Sequence, residues 1–144
     1  MSASKTELAP VYILDSYAIL AYLEEESGLE RVKTLLHAAK QGDCQLFMSL
    51  INLGEVLYIT EREQGLSKAQ SALAVIKQLP VEILPASTEM VFAAAHIKAR
   101  FPLAYADAFV IAAAQKHDGV VVTGDPEFEV VEHLITVEWL VDRP

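Results

Sequence analysis

The 144-residue chain has a single cysteine, Cys44, so no disulfide within the chain is available to it. The apolar neighbours Leu46 and Phe47 mark that thiol as a small packed hydrophobe rather than a nucleophile, and a lone thiol suits a reducing compartment. No apolar run approaches the ~18 residues of a membrane-spanning helix, and Met1 to Ala9 carries no hydrophobic stretch of the secretory kind. The expectation is a cytoplasmic protein that makes no use of a membrane. Also missing are a Gly-rich loop ending in Lys-Ser/Thr, a G-x-G-x-x-G after a strand and a G-x-S-x-G elbow. Their absence removes the familiar nucleotide-phosphate cradles and disfavours serine-nucleophile chemistry. His37, His96, His117 and His133 are scattered, with no ligand spacing to one another or to Cys44, which argues against zinc. Basic residues are scarce too: 11 Lys and Arg stand against 20 Asp and Glu, a net charge of −9. That sign opposes any grip on phosphate backbones by bulk electrostatics. Bound divalent ions would invert the field locally, and Arg31, Lys33, Arg62, Lys98 and Arg100 are available as a rim.

With 53% hydrophobic side chains, the chain supports one substantial core. No repeat, low-complexity tract or Gly/Ser linker divides it, so residues 11–144 are read as a single domain behind a flexible N-terminus, residues 1–10. Short continuous apolar runs mark strands at Val11 to Leu14, Cys44 to Met48, Val81 to Leu84, Val120 to Thr123 and Thr136 to Leu140. Between them, helical spacing and caps place helices after Ser16, after Gly28, from Ser49 to Gly65, from a Ser67/Gln70 capping box to Pro80, from Ser87 to about Arg100, and from Ala104 to Lys116. Asp125 and Pro126 open a short helical turn. Strands alternating with helices imply an α/β fold with a mostly parallel central sheet of about five strands flanked by helices.

Four acids occupy telling positions on this frame. Asp15 directly follows the first strand, where open parallel sheets bind ligands. Glu55 sits inside an apolar helical pattern with Leu53, Val56, Leu57 and Ile59, and Asn52, three residues earlier, is placed to orient it or a bound water. Asp107 begins a helix apolar almost all round, where a helix dipole worth ~0.3–1 kcal/mol cannot offset the burial of an isolated charge. Asp125 follows the fourth strand. Each has a plainer local account: a turn aspartate for Asp15, a surface glutamate for Glu55, an N-cap for Asp125. Together, however, converging carboxylates would raise each other's pKa and destabilise the fold unless a cation were present. All-oxygen ligation points to Mg²⁺ or Mn²⁺. Glu127 and Glu129 are candidates for a fifth ligand, with solvated surface acids the more economical account of both.

The strings Tyr12-Ile-Leu-Asp15-Ser16, Ser49-Leu-Ile-Asn52-Leu-Gly-Glu55, Tyr105-Ala-Asp107-Ala-Phe-Val-Ile-Ala-Ala and Thr123-Gly-Asp125-Pro-Glu-Phe128 resemble, in order and spacing, the four acidic motifs of the PIN-domain nucleases. A chain of this size is similar to the VapC-type toxins of toxin–antitoxin pairs. The resemblance implies that Asp15, Glu55, Asp107 and Asp125 are catalytic, metal-binding acids, with Ser16, Asn52 and Thr123 supporting them. It implies an endoribonuclease that uses Mg²⁺ or Mn²⁺ to activate water, a homodimer, an RNA substrate and a cognate antitoxin whose tail occupies the active-site groove. Within the site, Asp15 and Asp125 are assigned to the primary metal, Asp107 is shared, and Glu55 binds directly or through water. Two other classes are a Mg²⁺-binding phosphoacceptor receiver domain and a non-catalytic PIN-like interaction module whose acids capture an arginine-bearing peptide. A receiver would carry adjacent acids after the first strand and a lysine after the last; here Ser16 follows Asp15, and no lysine lies near Thr136 to Leu140.

Overall fold

The computed structural model describes residues 9–141, so most of the expected N-terminal tail, residues 1–8, lies outside the described residues. Five strands, β1 (Val11–Leu14), β2 (Gln45–Ser49), β3 (Glu82–Leu84), β4 (Val120–Thr123) and β5 (Thr136–Trp139), form one sheet in the order β3-β2-β1-β4-β5. Every pairing is parallel, with Ile13 opposite Phe47 on one side and Val121 on the other. The carbonyl of Pro10 accepts from Gln45 N at 2.9 Å, which pins the chain just before β1.

Crossover helices cover both faces: α1 (Ser16–Leu23), α2 (Leu29–Lys40), α3 (Leu50–Gln64), α4 (Leu66–Gln78), α5 (Thr88–Arg100) and α6 (Tyr105–His117). Strand alternation splits the core accordingly. Ile13, Phe47 and Val121 pack with Met90, Ile97, Phe109 and Ile111 of α5 and α6. Leu14, Met48 and Val122 face Ile19, Val32, Leu35, Val56 and Ile76 of α1 to α4. Burial on both faces explains why the strands read as unbroken apolar runs rather than alternating ones. It also explains α6, whose residues from Ala108 to Ala114 are all buried between the sheet and α5.

Most boundaries follow local chemistry. Ser49 and Ser87 cap α3 and α5 by accepting from Ile51 N at 3.1 Å and Met90 N at 3.2 Å. Strand edges move by a residue, β3 starting at Glu82 rather than Val81 and β5 ending at Trp139 rather than Leu140, and two further shifts have a local cause. The second strand runs Gln45–Ser49 rather than from Cys44, whose buried sulfur instead approaches the Leu35 carbonyl at 3.6 Å. The Ser67/Gln70 box does not open α4, because Gly65, with φ +93°, both ends α3 and begins α4 at Leu66. That glycine turns the chain so tightly that no residue is left over for a serine cap.

The strand order places β1 between β2 and β4, so the crossovers leave β1 in opposite directions. A crevice opens at that switch point, beyond the carboxyl ends of β1 and β4. The same order separates this sheet from receiver domains, which run 2-1-3-4-5.

Candidate metal centre

Asp15 leaves β1 as the N-cap of α1, and its Oδ1 accepts from Ala18 N at 2.9 Å. Its Oδ2 accepts from the Thr123 hydroxyl, and Thr123 Oγ1 in turn accepts from Asp125 N at 2.9 Å. The last residue of β4 therefore clamps the first residue beyond β1. Asp125 caps the 3-10 turn Pro126–Val131 by accepting from Glu127 N at 2.9 Å, the role local sequence assigned to it, while its side chain still borders the crevice. Beside it, Gly124 has no room for a side chain, because a Cβ there would come within 2.4 Å of the Tyr17 ring. Tyr17 thus lies close against the β4 turn and borders the crevice.

The other side is built by α3 and α6. Glu55 is half-buried, and its Oε1 accepts from the Ser16 hydroxyl. Asn52, fully buried one turn earlier, donates through Nδ2 towards Ser16 Oγ and the Ala106 carbonyl, both at 3.4 Å. Asn52 thereby ties α1, α3 and the start of α6 together, acting on Glu55 through Ser16 rather than directly. Asp107, in the first turn of α6, is buried to 7% exposure.

Asp15, Ser16, Glu55, Asp107 and Asp125 all border one cavity of about 300 Å³, with Thr123 and Asn52 buried behind it. Among the described residues, one trio of acids meets at a spacing that could hold an ion. Oxygens of Asp107, Asp125 and Glu127 lie within 4.8 Å of one another, whereas Asp15 and Glu55 stand outside that trio. Glu127 joins this grouping, although its local sequence favoured a solvated surface acid. It is exposed, as a surface acid should be, yet its Oε1 accepts from Ala104 N at 3.0 Å, which holds the carboxylate at the cavity rim. The only sequence signal was its place two residues after an N-cap aspartate; Ala104, the contact that fixes it, is 23 residues away. Glu129 does not border the cavity.

Electrostatics here are severe. Burial pushes the Asp15 carboxyl up to about 7; hydrogen bonds from Thr123 and Ala18 oppose this, and the charges of Asp125 and Glu55 add to it. Asp107 is pushed up to about 8, first by burial, then by a hydrogen bond shared with Glu127 and by the charges of Asp125, Asp15 and Glu127. Among the described residues, no lysine, arginine or histidine borders the cavity. The ion pairs found among the described residues, Arg31–Glu138 and Lys116–Glu89, lie elsewhere. Five carboxylates without a basic partner form an all-oxygen donor set suited to a hard divalent cation. Asp107, Asp125 and Glu127 would be the residues best placed to share such a cation.

A family model described as PIN domain matches residues 12–134. No curated protein matches the chain in sequence. Among solved structures, similar chains occur in DNA-bound VapBC from Salmonella typhimurium, with 19% identity, TM-score 0.71 and coverage of 92% of this chain and 99% of that one. VapBC2 from Rickettsia felis, bound to a promoter DNA fragment, is similar at 18% identity and TM-score 0.69, covering 89% and 97%. VapC20 from Mycobacterium tuberculosis, a toxin that cleaves the sarcin-ricin loop, is similar at 18% identity and TM-score 0.66, covering 83% and 94%. At these identities the likeness is one of fold.

Proposed function

The chain belongs to the PIN domain family, and from that premise we propose that it is a metal-dependent endoribonuclease and the toxin of a toxin–antitoxin pair. One observation carries the reading: acids from the end of β1, α3, α6 and the β4 turn meet in a single cavity that no basic side chain among the described residues borders. Asp15, Glu55, Asp107 and Asp125 are the proposed metal-holding and catalytic acids, and Glu127 joins them. Ser16, Asn52 and Thr123 fix their orientations. Bound there, Mg²⁺ or Mn²⁺ would neutralise the cluster, admit a phosphodiester and lower the pKa of water.

The protein's own contribution is rigidity and field. Thr123 and the Ala18 amide hold both oxygens of Asp15, leaving each with further acceptor capacity. The Ser16 hydroxyl does the same for one oxygen of Glu55. Held this way, the acids need little reorganisation when charge develops, the condition under which electrostatic stabilisation is greatest. The chemistry adds one water across a P–O3′ bond, giving a 5′-phosphate and a 3′-hydroxyl, with no side-chain nucleophile.

Similarity to chains of VapBC complexes supports an antitoxin partner, and an all-acid cavity is well suited to a guanidinium from its tail. A homodimer and a cytoplasmic location complete the proposal. Among the described residues, no helix is long and apolar enough to cross a membrane. A purely non-catalytic interaction module would use the same cavity for a partner arginine alone. The deciding experiment incubates purified, partner-free protein with structured RNAs in Mg²⁺ or Mn²⁺ and then in chelator. Metal-dependent cleavage is expected; cleavage that survives chelation, or none under any condition, would overturn the assignment.

A further inference from the structure

A chain of net charge −9 must still hold a polyanion next to five carboxylates, and its few cations are unequally suited to that task. Arg31 is committed to Glu138. Neither α2, which carries Arg31 and Lys33, nor α5, which carries Lys98 and Arg100, bears any of the site acids. Arg62 is different, because it shares α3 with Glu55.

Helix geometry puts Glu55, Tyr58 and Arg62 on one face. At ~100° and ~1.5 Å per residue, Tyr58 and Arg62 lie within ~60° of Glu55 around the axis and ~4.5 and ~10.5 Å beyond it. Ile59, which borders the cavity, continues the same strip. Tyr58 is 54% exposed, and the Arg62 guanidinium lies over its ring at 5.5 Å from the centroid. An aromatic plane open to solvent and a cation beside it, leading away from a phosphodiester-cleaving centre, are the two elements by which proteins hold single-stranded nucleic acid.

Resting on the nuclease reading above, we infer that Tyr58 and Arg62 form a subsite for a nucleotide next to the scissile bond in single-stranded RNA. The base stacks on Tyr58 and its phosphate engages Arg62. Because a stacked platform needs an unpaired base, the subsite selects loops and single strands over duplex.

The test uses the full-length protein with Mg²⁺ and a random-sequence RNA pool, single-stranded and in double-stranded form. Wild type, Tyr58→Leu, Tyr58→Trp and Arg62→Gln are compared for KM, kcat and size in solution. Tyr58→Leu should raise KM roughly 5- to 150-fold with little change in kcat, and Tyr58→Trp should retain a KM near that of wild type. Arg62→Gln should raise KM and reduce its log–log salt dependence by ~0.7, the loss of one single-strand phosphate contact. Cleavage by Tyr58→Leu with unchanged KM, equal cleavage of duplex, or conversion of a dimer to monomer by Tyr58→Leu would each remove the subsite while leaving the nuclease in place. Absence of cleavage by the wild type would remove both.

Discussion

Replacing Asp15 with asparagine in the metal-free protein separates the electrostatic cost of the site from its catalytic use. The Asp15 carboxyl titrates near 3.8 when solvated and at about 7 in the fold, with burial as the main cause. An acid that binds its proton more tightly when folded favours the folded state at low pH. That advantage is complete below ~3.8 and disappears as pH rises through about 7, where the buried group must ionise. At ~1.4 kcal/mol for each tenfold change in proton affinity, the loss amounts to ~4 kcal/mol, a large fraction of the 5–15 kcal/mol that keeps a typical domain folded. The substituted asparagine would stay neutral throughout. Its oxygen can still accept from Ala18 N, and its amide can donate to Thr123 Oγ1, reversing the direction of the hydrogen bond that Thr123 makes in the wild type. In chelator at pH 8, D15N should therefore be more stable than wild type by up to ~4 kcal/mol, or ~10–15 °C in Tm, with the gap closing by about pH 4. Magnesium should narrow the gap, since saturation at ~100 times Kd adds ~2.7 kcal/mol to wild type and little to the variant. Urea and thermal unfolding followed by circular dichroism from pH 4 to 8 read this directly. A D15N variant no more stable than wild type at pH 8 in chelator would refute the argument that uncompensated burial of charge defines this site.

Three other perturbations test separate parts of the site. Glu127→Gln should weaken Mg²⁺ or Mn²⁺ binding by at least the ~10–100-fold typical of a lost supporting ligand, measured by calorimetry, and unchanged affinity would exclude Glu127 from the metal set. Thr123→Val keeps the shape but removes a hydrogen bond that lowers the Asp15 pKa, so metal binding should shift to higher pH; a pH profile matching wild type would contradict the relay. Gly124→Ala should cost ~1–3 kcal/mol by driving a Cβ into the Tyr17 ring, and Tyr17→Ala in the same chain should recover most of it in a thermal melt. Additive losses in that double variant would show that the two residues do not press on each other.

The amino-acid sequence alone determined what depends on neighbours a few residues apart. Strands beginning at Val11 and Val120, caps at Ser49 and Ser87 and the isolation of Asp107 in an apolar helix are all set by side-chain period and capping. So was the meeting of Asp15 and Asp125, because a parallel sheet gathers the residues that follow its strand ends at one edge whatever their separation along the chain. Tertiary structure decided what depends on segments meeting. Glu127 enters the cluster because Ala104 N reaches it across the loop before α6. Arg31 is withdrawn from any substrate because β5 brings Glu138 beside it. Asn52 reaches Glu55 only through Ser16, a residue of a different helix. Hydrogen bonds and ion pairs between remote loops act over ~3 Å, and that distance exists only after the chain has packed.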